Sequence, residues 1–367
     1  MKNKLALILG VLFILSACSI VKSLVNKRSI NDYKKFSKRD IHANNKPFKF
    51  PKGNPLAVKI PLGLNIDGNE VTFEKYLSDN KTVAFLIIQN DTLAYEKYFG
   101  THDSASIIPS FSISNTFISA LIGCAIQDGI IKSVDDSVLT YIPELTKNGF
   151  KDVTIKHLLQ MTSGLDFKES YKDPMGEAAT FYYGRNIYKN EIHLTLEREP
   201  GKAFDFTSGS IQLLALVLQR ALKNEKVAHY FERRIWFQIE PEFDASWSTD
   251  KVDGTEKAFC CMNARALDFA KFGRLFMQKG NWNGKQIIPE KWVNESLNPD
   301  LSGGGVKYFK YQWWLYDNSD NAFYAQGDLG QFIYVNPRKN LIIVRLGEDV
   351  GNVNWQQFFA SYAATIQ

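Results

Sequence analysis

Cysteine and histidine are scarce in this chain, whose 367 residues include four cysteines and five histidines. Beyond Cys18 the cysteines are Cys124, Cys260 and Cys261, and an odd number does not indicate a disulfide framework. We interpret Cys124 as a core residue and the adjacent Cys260 and Cys261 as buried packing rather than a metal or redox site. No histidine or cysteine stands at ligand spacing from that pair, so neither a metal nor a cofactor is expected.

Long apolar runs are also lacking after the N-terminus, so no membrane span is expected. At the N-terminus, Lys2 and Lys4 precede an apolar run over residues 5–15, which has the length of a secretory signal. The run ends in Leu15-Ser16-Ala17-Cys18, which resembles the lipobox of bacterial lipoproteins. The resemblance implies a signal peptide over residues 1–18 and a membrane-anchored lipoprotein of the cell envelope, lipidated at Cys18 and facing the periplasm or the exterior. A plain cleaved signal with a chance cysteine is the alternative.

A net positive charge is found only at the N-terminal end of the chain. Residues 1–50 carry a net charge of +9 and the whole chain +5, so the remainder carries −4. A nucleic-acid partner is therefore not expected, because the folded part lacks a basic surface. Residues 19–55 read as a basic, flexible tether beside an anionic lipid surface, or simply as a solvated linker.

The pattern beyond residue 56 predicts strands at both ends and helices in the middle. Two β-rich runs, 83–89 and 92–98, flank the turn pair Asn90-Asp91 and predict a hairpin. Further strands are predicted at 311–316, 332–335 and 341–346, and helices at 117–128, 211–222, 264–278 and 355–365. We expect one antiparallel sheet built from both chain ends, a mostly helical lobe at about 133–223, and a ligand cleft between them.

Three short segments stand where these elements should meet. They are Ser112-Ile113-Ser114-Asn115, Phe206-Thr207-Ser208 and Asp328-Leu329-Gly330-Gln331. Together with the hairpin and segments 161–165 and 260–265, they resemble the β-lactamase-like serine hydrolases, with class C closest: penicillin-binding-protein-like esterases, D-alanyl-D-alanine peptidases and amide hydrolases. The resemblance covers about residues 56–367. It implies a β-lactamase/transpeptidase-like α+β domain with an antiparallel sheet flanked by helices.

The first motif of that family is Ser-x-x-Lys, whose lysine lies one helical turn behind the serine and takes its proton. Ser112 matches the nucleophile, but Asn115 occupies the lysine position. An amide has no basic lone pair that could accept the proton. His157 lies in a leucine-rich helical run and is expected to be structural.

The other two family motifs are also altered. Phe206 stands where the family has a tyrosine that relays protons, although Ser208 remains. Asp328 stands where the family has lysine or histidine, and Gly330 is kept. The resemblance implies that the backbone N–H groups of Ser112 and Gln331 still form an oxyanion hole.

These substitutions predict a catalytically impaired hydrolase. Each altered position handles a proton in the family mechanism, and the three groups act together. The expected partners are a cell-envelope peptide, a muropeptide or a protein bound in the old cleft. The alternative is an active serine hydrolase in which a desolvated Asp328 serves as base toward Ser112. Ser112 could instead be only a helix N-cap or a hydrogen-bond donor to ligand. A purely structural envelope lipoprotein, with an occluded cleft, is a third reading.

The lipobox gives a direct prediction. Globomycin, which blocks the lipoprotein signal peptidase, should leave an unprocessed precursor, and Cys18→Ser should yield no lipid-labelled form, because only the Cys18 thiol can be acylated there. Metabolic labelling with an alkyne fatty acid checks both. Acyl label that persists after Cys18→Ser would contradict the prediction.

Overall fold

A computed structural model describes residues 28–53, 63–66, 69–173, 175–223, 225–316 and 320–366. The signal peptide, Cys18 and the first part of the expected tether lie outside these ranges. Over the described ranges, no helix combines the length and the apolar character that a membrane crossing requires.

The strands form two larger antiparallel sheets and two small hairpins. The bounds are β1 (Ser37–Ile41), β2 (Gly63–Ile66), β3 (Asn69–Thr72), β4 (Thr82–Gln89), β5 (Thr92–Tyr98), β6 (Ile108–Pro109), β7 (Ala245–Thr249), β8 (Met262–Ala264), β9 (Asn281–Trp282), β10 (Lys285–Gln286), β11 (Phe309–Lys310), β12 (Trp313–Leu315), β13 (Phe323–Gly327), β14 (Gln331–Asn336) and β15 (Leu341–Gly347). The large sheet runs β11-β12-β13-β14-β15-β4-β5, so strands from both ends of the folded part meet where β15 pairs with β4. This confirms the predicted antiparallel sheet.

The α-helices lie on both faces of the large sheet and in the lobe beside it. Their bounds are α1 (Phe73–Asp79), α2 (Ser114–Gln127), α3 (Ile155–Leu159), α4 (Glu177–Tyr183), α5 (Ile187–Glu191), α6 (Ser208–Ala221), α7 (Val227–Phe231), α8 (Ala266–Met277), α9 (Glu290–Ser296) and α10 (Trp355–Ala364). Between residues 133 and 223 the described chain forms helices α3–α6, short 3₁₀ turns and no named strand.

The central strands are apolar on both faces because helices cover both. In β4, Leu86 and Ile88 face the main core, which also contains residues of α2, α6 and α8, while Phe85 and Ile87 face the opposite side. There they pack with the aromatic residues of α1 and α10, among them Trp355. Alternate residues therefore reach different cores, as the period of two in a strand requires.

For residues 28–53, the structure corrects the prediction of a flexible tether over residues 19–55. Strand β1 pairs with β7 at the edge of the second sheet, whose order is β1-β7-β8-β6. Ile30 and Ile41 are buried in the main core, and Arg39 pairs with the buried Glu256. The segment was predicted to be a linker because it is basic and polar. Some of its few apolar side chains are buried and its strand pairs with the edge of β7, and these contacts hold it in place.

The cysteine prediction was wrong in one respect. Cys260 and Cys261 form a disulfide, which the odd cysteine number had not suggested. A disulfide between adjacent cysteines needs no partner elsewhere in the chain, so an odd number of cysteines does not exclude it. Cys261 has a positive φ of 73° in this turn. Cys124 is buried and unpaired in the described structure, which confirms it as a core residue.

His157 is structural, as predicted. It closes a capping box at the start of α3: Thr154 Oγ1 accepts from the His157 N–H, and His157 Nδ1 accepts from the Thr154 N–H at 3.2 Å. Burial lowers the pKa of His157, which favours the neutral ring that can accept this bond.

The docked N-terminal strand gives a stability prediction. Ile41→Ala should lower the free energy of unfolding by about 2–4 kcal/mol, because the side chain is fully buried in the main core. Lys38→Ala, on the same strand but exposed, should change it by less than about 1 kcal/mol. Urea unfolding followed by circular dichroism measures both; equal, negligible effects would mean that the segment is a tether after all.

Candidate active site

The three sequence motifs converge on one cleft of about 570 Å³ between the large sheet and the helical lobe. Ser112, Phe206, Asp328 and Gly330 line it. Asn115, Ser208 and Gln331 lie just behind, buried in the elements that carry the lining residues. The remaining lining residues are Arg28, Glu169, Tyr171, Trp314, Gln326, Gly327, Leu329 and Val350.

Ser112 lies in a strained turn that joins β6 to α2. The preceding residue, Phe111, has a positive φ of 45°, which costs a non-glycine residue about 1–3 kcal/mol. The turn is held from both sides: the Ser110 N–H donates to the Met262 carbonyl at 2.8 Å, and Ser114 Oγ donates to the Ala258 carbonyl at 2.9 Å. This support presents Ser112 to the cleft at the N-terminus of a helix.

Asn115 follows one turn later and is almost fully buried. Its side-chain oxygen has no hydrogen-bond partner within the described ranges. An unpartnered buried oxygen of this kind costs about 1–3 kcal/mol. Asn115 therefore keeps a polar side chain at this position, but its amide cannot act as a base.

The second motif opens helix α6. Phe206 packs on the Trp314 ring with centroids 6.0 Å apart, so an aromatic surface replaces a hydroxyl. Ser208 donates through its backbone N–H and its Oγ to the Glu169 carboxylate, at 2.7 and 2.8 Å. Burial raises the pKa of Glu169, while the two Ser208 bonds oppose that rise. Glu169 had no recognisable signal in the sequence, because it lies 39 residues from its partner.

The third motif forms a tight turn between β13 and β14. Leu329 and Gly330 have positive φ values of 58° and 80°. The buried Arg345 donates to the carbonyl oxygens of Leu329 and Gly330, at 3.1 and 2.6 Å, and to those of Asn80 and Asp349. Burial lowers the pKa of Arg345 to about 9, and these bonds hold its guanidinium against the turn.

Strand β13 touches the Ser112 turn directly. A Cβ placed on Gly327 would overlap the Ser110 carbonyl oxygen and lie 3.1 Å from the Ser112 nitrogen. Behind it, the Gln331 side chain donates to the Gly347 carbonyl and accepts from the Gly347 N–H. The backbone of both motifs is thus fixed, although their implied oxyanion-hole role stays a prediction.

Asp328 does not face the cleft as a free carboxylate. It forms an ion pair with Arg28, which comes from the N-terminal segment. The Arg28 guanidinium also lies over the Tyr171 ring, with its Cζ 3.5 Å from the ring centroid. Sequence reasoning missed this contact because Arg28 was assigned to the tether.

The titratable side chains among the described residues that line the cleft are those of Arg28, Glu169, Tyr171 and Asp328. The described residues that line the cleft include no lysine and no histidine. Burial and the neighbouring Glu169 raise the pKa of Tyr171 to about 12, so its hydroxyl stays protonated near neutral pH. The catalytic or binding role of each motif residue stays a prediction.

A lysine of lowered pKa exists elsewhere. Burial lowers the pKa of Lys257 to about 7, a value suited to a base. Its Nζ, however, donates to the carbonyl oxygens of Phe181, Tyr182 and Gly184 at the end of α4, and it does not line the cleft. Among the described residues, no group of three or more histidine, cysteine or acidic side chains could hold a metal ion.

Comparisons with known proteins agree with this geometry. Residues 72–353 match the Beta-lactamase family. Over 300 residues the chain is 24% identical to the 6-aminohexanoate-dimer hydrolase of Paenarthrobacter ureafaciens, covering 74% of each chain. A solved Bacillus anthracis structure, assigned as a 6-aminohexanoate-dimer hydrolase, superposes with a TM-score of 0.80 at 25% identity over 92% of each chain. A penicillin-binding protein from Bacillus halodurans superposes with a TM-score of 0.64 at 16% identity, covering 78% of this chain and 98% of its own.

Proposed function

Because this chain belongs to the β-lactamase family of serine hydrolases, we propose that it is a catalytically impaired member that binds a peptide-like ligand in the old active-site cleft. One observation carries the proposal. Ser112 shares its cleft with Phe206 and with an Asp328 held by Arg28, and the buried Asn115 stands behind it. Asn115 and Phe206 can neither take nor give a proton, and the Asp328 carboxylate is paired with Arg28.

The missing groups act in sequence, which makes the impairment severe. Attack by Ser112 needs a base to take its proton, and expulsion of an amide nitrogen needs an acid to give one back. Asn115 and Phe206 can do neither. An oxyanion hole and a binding cleft alone still accelerate a reaction about 10³–10⁴-fold over its rate in water. That acceleration is too small for the turnover of an amide.

The alternative of an active hydrolase based on Asp328 finds less support. A base must have a free lone pair directed at the serine hydroxyl. The Asp328 carboxylate is instead engaged by the Arg28 guanidinium. Glu169, the other carboxylate of the cleft, accepts one hydrogen bond from Ser208 on each oxygen, which orients it toward the second motif.

A ligand-binding role is favoured over a purely structural one. A structural lipoprotein would be expected to have an occluded cleft, whereas about 570 Å³ remains between the lining residues. Two of the proteins named above are called 6-aminohexanoate-dimer hydrolases. By analogy we infer that the ligand of this cleft is an extended amide chain, such as a cell-envelope peptide or muropeptide.

The proposed lipid anchor limits where that ligand could be met. Nine residues lie between Cys18 and Arg28 at the cleft, so ten residue-to-residue steps join the two. Fully extended, that stretch spans at most about 35 Å. A lipidated Cys18 would therefore keep the cleft close to the membrane surface, on the periplasmic or exterior side.

The impairment predicts that Ser112 is not acylated. Incubation with a β-lactam or an activated ester at neutral pH should leave the intact mass unchanged, because no group removes the Ser112 proton. A fluorophosphonate probe supplies a second reagent class, and Ser112→Ala is the matched control. A rapidly formed adduct that Ser112→Ala abolishes would show that another group has taken over as base.

Restoring the proton path should restore activity cooperatively. The triple variant Asn115→Lys, Phe206→Tyr and Asp328→His should hydrolyse a nitrophenyl ester at least about 100-fold faster than the parent, while each single change gains little. The reason is that lysine, tyrosine and the third residue form one relay. Adding Ser112→Ala to the triple variant must remove the gain. A folded triple variant as slow as the parent would refute the motif assignment.

A further inference from the structure

Arg28 occupies the cleft through contacts suited to a guanidinium group. Its planar head lies over the Tyr171 ring and pairs with Asp328, so one face meets an aromatic surface and one edge meets a carboxylate. Its side chain as a whole is 24% exposed, so most of it is shielded from water. Stacking and charge-assisted pairing are both stronger when water is excluded.

The segment that delivers Arg28 is docked on the lobe. Asp32, almost fully buried, accepts from the Ser29 N–H at 3.0 Å and from the Tyr182 hydroxyl at 3.1 Å. Ile30 enters the main core, and Phe36 packs edge-on against Tyr182 at 5.3 Å. The position of Arg28 thus follows from several independent contacts and not from the ion pair alone.

The charges of the cleft favour a cation. Two carboxylates, Glu169 and Asp328, line it, and Arg28 is the one basic side chain among the described lining residues. Glu169 accepts two hydrogen bonds from Ser208, and the nearby Arg28 charge also opposes the rise of its pKa. Asp328, by contrast, is the carboxylate that pairs with Arg28 directly. Removing Arg28 would leave two carboxyl groups without a basic neighbour among the described lining residues, beside an aromatic wall of Tyr171, Phe206 and Trp314.

We propose that the cleft is a guanidinium-binding site, filled in cis by Arg28 and able to accept an arginine side chain of another polypeptide in its place. The proposal rests on the binding role inferred above and specifies the chemistry of the ligand. Asp328, which replaces a proton-handling residue, is the charge partner. Tyr171 is the stacking surface.

Binding of an arginine probe tests the proposal. The full chain, purified in a non-ionic detergent, is titrated calorimetrically with N-acetyl-arginine methylamide. Because its docked segment holds Arg28 at the site, Arg28 competes intramolecularly with the probe, and Arg28→Gln should bind the probe at least 10-fold more tightly than the parent. Lys34→Gln, which removes an exposed charge of the same segment outside the cleft, should leave the parent affinity unchanged.

Two further measurements test whether the charge of the guanidinium group and the Asp328 carboxylate determine binding. The neutral isostere N-acetyl-citrulline methylamide should bind Arg28→Gln at least 10-fold more weakly than the arginine probe. Adding Asp328→Asn to Arg28→Gln should likewise weaken arginine binding at least 10-fold. Equal binding of both probes, or no binding of either by folded Arg28→Gln, overturns the proposal.

A chemical measurement on the parent covers the case in which Arg28→Gln fails to fold. Phenylglyoxal should modify Arg28 at least 10-fold more slowly than the exposed Arg185, as read by peptide mass mapping, and Asp328→Asn should remove much of that protection. Equal modification of both arginines in the parent overturns the proposal. A Ser112 adduct would instead count against the impaired-hydrolase assignment, so the two failures are distinguishable.

Discussion

The edge of β13 lies so close to the turn before α2 that residue 327 has no room for a side chain. Only glycine fits between the Ser110 carbonyl and the Ser112 nitrogen. This approach fixes the strand that carries the third motif against the turn that carries the first. The cleft keeps its shape because of this backbone contact, whichever side chains line it.

The side chains that hold the backbone of the cleft in place are different from those that would take part in catalysis. Arg345 holds the turn at Gly330 through backbone carbonyls, and Gln331 binds Gly347 on the neighbouring strand. None of these bonds depends on the residues at the proton-handling positions. Asn115, Phe206 and Asp328 can therefore differ from the family pattern while Ser112 and the turns around it stay in place.

The sequence predicted the elements whose signals are local. Strands β4 and β5 were visible because a turn pair separates two apolar runs, and the three motifs could be placed because each is a short string beside a helix or strand. The C-terminal helix and β15 were predicted within one residue of their observed ends.

Contacts between distant residues could not be read in the same way. Strand β13 was missed because Phe323–Gly327 is short and mixed in polarity. Glu169, Arg345 and Arg28 have no local pattern that marks their partners, and the docking of Ser37–Ile41 depends on the free edge of β7. The disulfide of Cys260 and Cys261 was missed because counting cysteines presumes partners far apart in sequence.

At the third motif, Asp328 would hold a cation at the position where the family has a proton-handling residue. Arg28 meets that carboxylate at a site about one-third exposed, where an ion pair backed by aromatic stacking contributes more than a surface pair does.

The most direct test is a double-mutant cycle with Arg28→Gln and Asp328→Asn, measured by denaturant unfolding of the full chain. The account predicts a favourable coupling free energy of about 1 kcal/mol or more between the two side chains. A coupling indistinguishable from zero would contradict it.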